Sequence, residues 1–429
     1  MTGSRIILTL LFAMFGVIDP AEAQTLQRLT LEQARQAALA NHPQVRAATF
    51  DALAETQVAA QRSAARFPVV QADLTGAGAN PEDTIAAGQI NNSSVDTRGA
   101  AGLRVDQLIY DFGRTSNLVR SARSRARAAE QTSETTRAQV ILEVDRAYFT
   151  ALRAQALLEV AEQTVQTRRL VLEQTQALQQ TGIRSGLDVS MARYSLAEAQ
   201  LQLSRTENDF RAALANLSTA MGVEEERPYQ LVDEPLPDRT LPDREEIIAE
   251  ASQNRPDLRA LRLERDAAYQ FLAAEKALRR PSITAAAVAG LIPFHNRDLD
   301  NRYNAVGVNI DIPILGGGRR ARAREANYRA RASEERVRNA EIEIARDARV
   351  AWYNADSAFQ RIGLAAQLLS HAKESFDLAQ ERYRLGLASI VELSQAVLSL
   401  TVAEIESANA RFEYRIQRSI LDYQRGQLP

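Results

Sequence analysis

Gly182 follows Gly113 by 69 positions and Gly386 follows Gly318 by 68, and neither interval contains a proline. At about 1.5 Å of rise per residue, a continuous helix over either interval is roughly 100 Å long. No globular core needs such a length, so the chain has to build something elongated. Alanine, about a sixth of the residues, together with abundant Leu, Glu, Gln and Arg, favours that outcome.

The two long intervals belong to one unit written twice. Asn41-His42-Pro43-Gln44-Val45-Arg46-Ala47 returns as Asn254-Arg255-Pro256-Asp257-Leu258-Arg259-Ala260 at a shift of 213, which also sets Arg66-Phe67-Pro68 on Arg279-Arg280-Pro281. Tyr110 to Arg114 falls on Leu315 to Arg319 at a shift of 205, and Gly182 to Val189 on Gly386 to Leu393 at 204. Four landmarks in the same order indicate an internal duplication, the signature of repeat architectures. The organisation expected is a first repeat over 24–222, a proline- and acid-rich linker over 223–243, and a second repeat over 244–429.

Each repeat opens with a helical stretch, Leu31 to Arg66 or Arg244 to Arg279, that stops before a proline. Two strand-like segments follow, near 69–78 and 99–111 in the first repeat and near 282–292 and 303–314 in the second. Val306, Val308 and Ile310 alternate with Gly307 and Asn309, and Leu103, Val105 and Ile109 alternate with Arg104, Asp106 and Leu108. A period of two with one apolar face is a strand whose other face meets water or a polar lumen. The joining segment Ala79 to Thr97 reads as a polar loop, and a shorter one lies around His295 to Arg302. Long helical hairpins then span 114–221, with a tip at 182–188, and 319–425, with a tip at 386–392.

The return helices carry two heptad stripes each. In the first repeat these are Val189, Leu196, Leu203, Phe210 and Leu217, and Leu187, Tyr194, Leu201, Asn208 and Ala215, offset by about 200° around the helix. The second repeat places Val391, Leu398, Ile405 and Phe412 against Leu393, Leu400, Ser407, Tyr414 and Leu421. A two-stranded coiled coil buries one seam. Two seams on nearly opposite sides need a neighbour on each, as in a helical wall or a bundle.

The N-terminus reads as an address. Arg5, an apolar run from Ile6 to Ile18 and Ala21-Glu22-Ala23 have the layout of a secretory signal cleaved near Ala23/Gln24, so that 1–23 is a signal peptide. That run is too short for a membrane-spanning helix. Four strands cannot close a water-wide barrel, and lipid does not tolerate open sheet edges. Three chains would supply twelve strands, with Leu103, Val105, Ile109, Val306, Val308 and Ile310 facing lipid.

Composition removes other functions. With no cysteine, disulfide frameworks, cysteine-ligated zinc and thiol nucleophiles are excluded, and His42, His295 and His371 lie in unrelated contexts. A formal charge of −2 gives no electrostatic case for nucleic acid. There is no Gly-x4-Gly-Lys-[Ser/Thr] loop and no nucleophile–base–acid set, so neither an enzyme nor a cofactor is expected.

Taken together, the duplicated Asn-x-Pro-x-ϕ-Arg-Ala opening (ϕ apolar), the turns Tyr110 to Arg114 and Ile312 to Arg320, and the tip pairs Gly182/Asp188 and Gly386/Glu392 carry a resemblance. The chain resembles the TolC family of outer-membrane efflux and secretion channels over nearly all of its mature length. The resemblance implies a mainly α fold with a membrane β-barrel portion: a homotrimer whose 12-stranded barrel in the Gram-negative outer membrane continues as a periplasmic α-helical barrel. It implies a passive exit duct of a tripartite efflux pump or type I secretion system, with a periplasmic adaptor, an inner-membrane transporter and outer-membrane lipid as partners. The absent lipid-anchor cysteine leans towards a general or protein-secretion duct. The adaptor would dock on the tips, at Gly182, Ile183, Ser185, Gly386, Leu387 and Ser389. In the family the closed tip is tied between hairpins; Asp188 matches its acid, Tyr383 the tyrosine partner, and Glu392 a carboxylate ring. The family's arginine two residues after the second glycine is Ala388 here, with Arg384 as the candidate replacement, and a second ring acid is Gln395. Two arginine clusters, Arg120, Arg123, Arg125 and Arg127, and Arg319, Arg320, Arg322 and Arg324, are expected to face phospholipid head groups at the inner rim of the barrel, the alternatives being intersubunit pairing with acids or plain solvation. The rival reading is a periplasmic coiled-coil adaptor or scaffold, which leaves the four strands unexplained.

Overall fold

The computed structural model describes residues 27–78, 84–87, 91–94, 98–224, 229–236, 241–295, 300–314 and 317–428. The expected signal peptide and its cleavage site, parts of the linker and the glycine turn at Gly316 lie outside the described residues.

In chain order the elements are β1 (Gln27–Leu29), α1 (Leu31–Asn41), α2 (Pro43–Ala64), β2 (Val69–Ala77), β3 (Thr84–Ala87), β4 (Asn91–Ser94), β5 (Arg98–Tyr110), α3 (Arg114–Gln180) and α4 (Gly186–Ala220). The second half runs β6 (Tyr229–Leu231), α5 (Arg244–Asn254), α6 (Pro256–Ala277), β7 (Ser282–His295), β8 (Arg302–Asp311), α7 (Arg319–Arg384) and α8 (Ile390–Gln424). Helices α3 and α7, of 67 and 66 residues, are each about 100 Å long.

Three expectations need correcting. The stretches Leu31–Arg66 and Arg244–Arg279 each contain two helices, because Pro43 and Pro256 begin new ones at the first helical position, where a missing N–H costs nothing. The polar loop Ala79 to Thr97 contains a small antiparallel hairpin, β3 on β4. The linker over 223–243 contains β6, which pairs in parallel with β1. Its short Tyr-Gln-Leu pattern is buried–exposed–buried, a strand signal hidden among prolines.

The main sheet has the order β2-β5-β7-β8, all pairs antiparallel. Register puts Val70, Val105, Ala287 and Val306 in one row and Ala72, Leu103, Ala289 and Asn304 in the next, on the same face. Alternate rows carry Gln71, Arg104, Asp106, Asp73 and Tyr303 on the other face, with Arg104 paired to Asp106 at 2.8 Å. Register shifts between Leu108 and Tyr110, setting Tyr110 across from Ile283, so Ile109 sits in an irregularity rather than in the strict alternation. Among the described residues nothing covers the sheet's apolar face: Val306 is 84% exposed and Leu74 87%.

The helices form a wall one layer thick. Towards the sheet the neighbours run α2, α3, α6, α7, and towards the tips α4, α3, α8, α7. Two heads of coaxial helices meet midway. Gly222, just past α4, lies against the start of α2 at Asn41 and His42, and Gly426, just past α8, lies against Asn254 and Arg255. The duplicated Asn-x-Pro motif is therefore the mouth of a helix joint. Around it lies the largest core, with Tyr148 and Leu217 fully buried and the Tyr148 hydroxyl within 2.8–2.9 Å of the Leu29 and Val232 carbonyls while it accepts from the Val232 amide at 3.2 Å. In the second repeat the Trp352 indole donates to the Pro242 carbonyl at 3.1 Å.

Candidate functional site at the helical tips

Both hairpins end the same way. Past α3, the Gly182 and Ile183 amides donate to the Gln179 and Leu178 carbonyls, and past α7 the Gly386 and Leu387 amides donate to Tyr383 and Arg382. The two glycines have φ of +76° and +78°, the left-handed cap that satisfies the last carbonyls of a helix. Ser185 and Ser389 then cap the return helices.

Within the protomer the expected gate residues each have their own partner. Asp188 is spent locally: its carboxylate accepts from the Ser185 amide at 3.0 Å and from the Ser185 hydroxyl at 3.1 Å, a reciprocal capping box. Tyr383 is fully buried, and its hydroxyl is 2.9 Å from Thr175 Oγ1 on α3 rather than on Asp188. Since Thr175 Oγ1 already donates to the Val171 carbonyl at 2.7 Å, the tyrosine is the donor. Glu392 pairs with Arg382 at 3.2 Å, with both side chains about half exposed. Arg384, the candidate replacement for the family's arginine, instead pairs with Glu381 of its own helix at 2.8 Å.

Besides the Tyr383–Thr175 bond, Arg184 bridges the hairpins. Its Nη2 donates to the Ala388 carbonyl at 2.7 Å and to the Tyr383 carbonyl at 3.1 Å, while the guanidinium lies 4.2 Å from the Tyr383 ring centroid. A cation on the last carbonyls of α7 also matches the negative end of that helix. The signal for it was in the sequence: at the 204-residue shift Arg184 is the counterpart of Ala388, the position where the arginine was missed. Beneath it Val171, Ala379, Ala388, Ile390, Leu393 and Val397 form a buried cluster drawn from α3, α7 and α8.

The heptad stripes separate into an inner and an outer seam. Val189 and Leu217 are buried against α3, whereas Leu187, Tyr194 and Leu201 are each more than 60% exposed on the free side of α4. In α8 Leu393, Tyr414 and Leu421 are fully buried. On α7, Leu364 and Leu368 border a groove shared with Arg153 of α3 and Glu406 of α8, and Leu378 and the cap residue Leu385 are also exposed. The expected docking residues Ile183 and Leu387 are also exposed. Of the arginine clusters, Arg322 pairs with the buried Glu275 at 3.0 Å, and Arg120 donates to Asn117. Among the described residues, no helix is apolar enough to cross a membrane and no side-chain cluster could hold a metal.

The sequence profile described as outer membrane efflux protein matches residues 34–223 and 247–422, one block per repeat. The chain belongs to the outer membrane efflux protein family. It is 26% identical over 375 residues to the outer membrane protein TolC of Vibrio cholerae, covering 83% of this chain and 84% of that one. It is also 26% identical over 402 residues to the probable efflux pump outer membrane protein TtgC of Pseudomonas putida, covering 87% of this chain and 78% of that protein. The solved outer-membrane channel OprN superposes with a TM-score of 0.79 at 21% identity, covering 92% of this chain and 90% of OprN.

Proposed function

We propose that three copies of this outer membrane efflux protein close into an exit duct, a 12-stranded β-barrel in the outer membrane continued by a helical tunnel across the periplasm. The observation that carries the proposal is a coincidence of unfinished edges. Strand β2 and helices α2 and α4 end the protomer on one side, strand β8 and helix α7 on the other. A ring of protomers would pair these strand edges and cover the exposed apolar side chains of the edge helices. The uncovered apolar sheet face, with Leu103, Val105, Val306, Val308 and Ile310, and with Ile109 beside its irregularity, then meets lipid, and the face bearing Arg104, Asp106 and Asp73 lines the lumen.

The duct is passive and narrows at the tips, where Asp188, Tyr383 and Glu392 form the periplasmic gate. A periplasmic adaptor, coupled to an inner-membrane transporter, docks on the tip residues Gly182, Ile183, Ser185, Gly386, Leu387 and Ser389 and draws the gate open. Residues 1–23 act as the signal that delivers the chain across the inner membrane and are removed near Ala23/Gln24. Three Glu392 carboxylates at the constriction favour cations.

Single-channel recording of detergent-purified protein in planar bilayers tests this. A small, cation-preferring conductance that grows in Asp188→Ala/Tyr383→Phe and loses cation preference in Glu392→Gln is expected. No channel from protein shown to be folded and inserted overturns the proposal.

A further inference from the structure

We infer that the pocket where α2, α3, α6 and α7 meet beneath the sheet is a binding site for a phosphoryl group or a like tetrahedral oxyanion. That the site faces the lumen rests on the duct reading; that it binds such an anion does not.

The pocket, of about 230 Å³, gathers four arginines from three helices. Arg62 stands in the last turn of α2, Arg114 opens α3, Arg125 follows about three turns further along α3, and Arg322 lies near the start of α7. The one carboxylate in the lining, Glu275, is 3% exposed and already held by Arg322 at 3.0 and 3.2 Å. Asp111, just before α3, spends its own carboxylate on the Gly113 and Thr115 amides at 3.1 and 2.7 Å. Among the described residues no side chain pairs with Arg62, Arg114 or Arg125, and the Arg114 Nε is shut off from solvent without a hydrogen bond. A buried donor left empty is costly. A cation in the first turn also opposes the positive end of its helix. One oxyanion offsets both costs, because guanidinium forks match the oxygens of a tetrahedral anion in charge and in spacing.

Arg114 also tells which side of the wall the pocket is on. It lines a second hollow together with Ser282 and Asp311. Ser282 pairs with Asp311, and on β7 it follows Val288, Ala286 and Thr284 on one face, the face that carries Arg104 and Asp106 across the register. That is the polar face of the sheet. Along α3 the groove continues past Arg125 into a hollow of about 630 Å³ beside Ala128, Thr132 and Thr136, on the same face of the helix. An anion seated on the arginines therefore has room behind it for an apolar body. In the duct, an anion that has passed the tips would meet these positive charges just before the barrel.

Calorimetric titration of the detergent-purified full chain with inorganic phosphate at low ionic strength tests the site without needing a channel. One saturable site per chain is expected in the millimolar range or tighter. Arg114→Gln should weaken it about tenfold, as loss of a charge-assisted contact does. Arg125→Gln, at an exposed position, should weaken it severalfold and serves if Arg114→Gln folds poorly. Arg146→Gln, exposed elsewhere on α3, should bind as wild type does. A titration that never saturates, or one affinity shared by all four proteins, overturns the inference, the second result meaning an adventitious ion only. Hexyl phosphate then separates the sources of the group. Competition with phosphate at about tenfold lower concentration assigns the site to the head of an amphiphile whose chain lies along α3. Competition at equal concentration assigns it to the free oxyanion, and none at all overturns it. If phosphate binds but no channel forms in bilayers, the lumenal placement falls with the duct reading and the site stands; if the channel conducts and phosphate does not bind, the site alone falls.

Discussion

Substituting Gly222 by alanine tests whether the helix joints hold the wall together. Gly222 has φ +69°, and a Cβ there would lie 2.7 Å from His42 Cα, 2.9 Å from its nitrogen and 3.1 Å from the Asn41 carbonyl carbon. All three are backbone atoms of the opposing helix start, so no side chain can swing away. The left-handed conformation costs a non-glycine residue about 1–2 kcal/mol, and forcing a methyl into a filled site about 1–3 kcal/mol more. Gly182 supplies the control: its φ is +76°, yet nothing lies within 4 Å of its would-be Cβ. Gly182→Ala should therefore lose only the backbone part, about 1–2 kcal/mol. At about 2 cal/mol/K of unfolding entropy per residue, each kcal/mol lowers the midpoint of a chain this long by about 1 °C. Circular-dichroism melts in detergent at one fixed scan rate should then show Gly222→Ala about 2–6 °C below wild type and Gly182→Ala about 1–2 °C below. Gly426→Ala should follow Gly222→Ala, since its Cβ would lie 2.8 Å from the Asn254 carbonyl carbon. If Gly222→Ala and Gly182→Ala melt together, the opposing helix start is not pressed against Gly222 and the joint is wrong.

Asp145 is fully buried and takes two bonds of 2.7 Å from Arg35, so Asp145→Asn should destabilise the chain by about 3 kcal/mol. Arg104→Gln, in the exposed pair with Asp106, should leave the melting midpoint at the wild-type value, and a clear drop would refute its exposure. Burial pushes the Tyr148 hydroxyl up to about 12, against about 10 in the unfolded chain. The folded chain thus holds this proton more tightly, and its stabilising contribution is complete below pH 10 and declines as pH rises from 10 towards 12. Tyr148→Phe should show a shallower loss of stability over that window than wild type, measured by urea unfolding at each pH. Trp352→Phe removes the indole bond to the Pro242 carbonyl and should cost about 1 kcal/mol.

The parts of the fold that were legible are those with a long-range period. Proline-free intervals set α3 and α7, and the 213- and 204-residue shifts exposed the repeat. The strand alternation found Val306, Val308 and Ile310 on one face. What escaped was short or set by a distant partner. Strand β6 has three residues, and only its pairing with β1 makes it a strand. The break at His42 follows from what proline does at a first helical position, and that needs the joint to be seen. At the tip, residue types were readable but bonds were not. Asp188, three residues after Ser185, satisfies its own helix start, a local bond that the family match did not point to. Thr175 carries no motif, and its role exists only because α3 lies beside α7 and α8.

The duplication explains where this chain keeps symmetry and where it gives it up. At the 204-residue shift, Gly222 and Gly426 make the same joint, Leu217 and Leu421 are both fully buried, and the edge-to-face pairs Tyr148–Phe149 and Trp352–Tyr353 occupy equivalent places. Those positions bear the wall, and a wall of alternating equivalent units needs each joint to have the same length and angle. The tips obey no such demand. Asp188 folds back on its cap while its counterpart Glu392 reaches Arg382, and Arg184 crosses to the second hairpin while its counterpart is Ala388. A symmetric pair of arginines would put two like charges on one buried cluster, which the cluster could not neutralise. One arginine and one alanine give a tie with a direction, from the first repeat to the second.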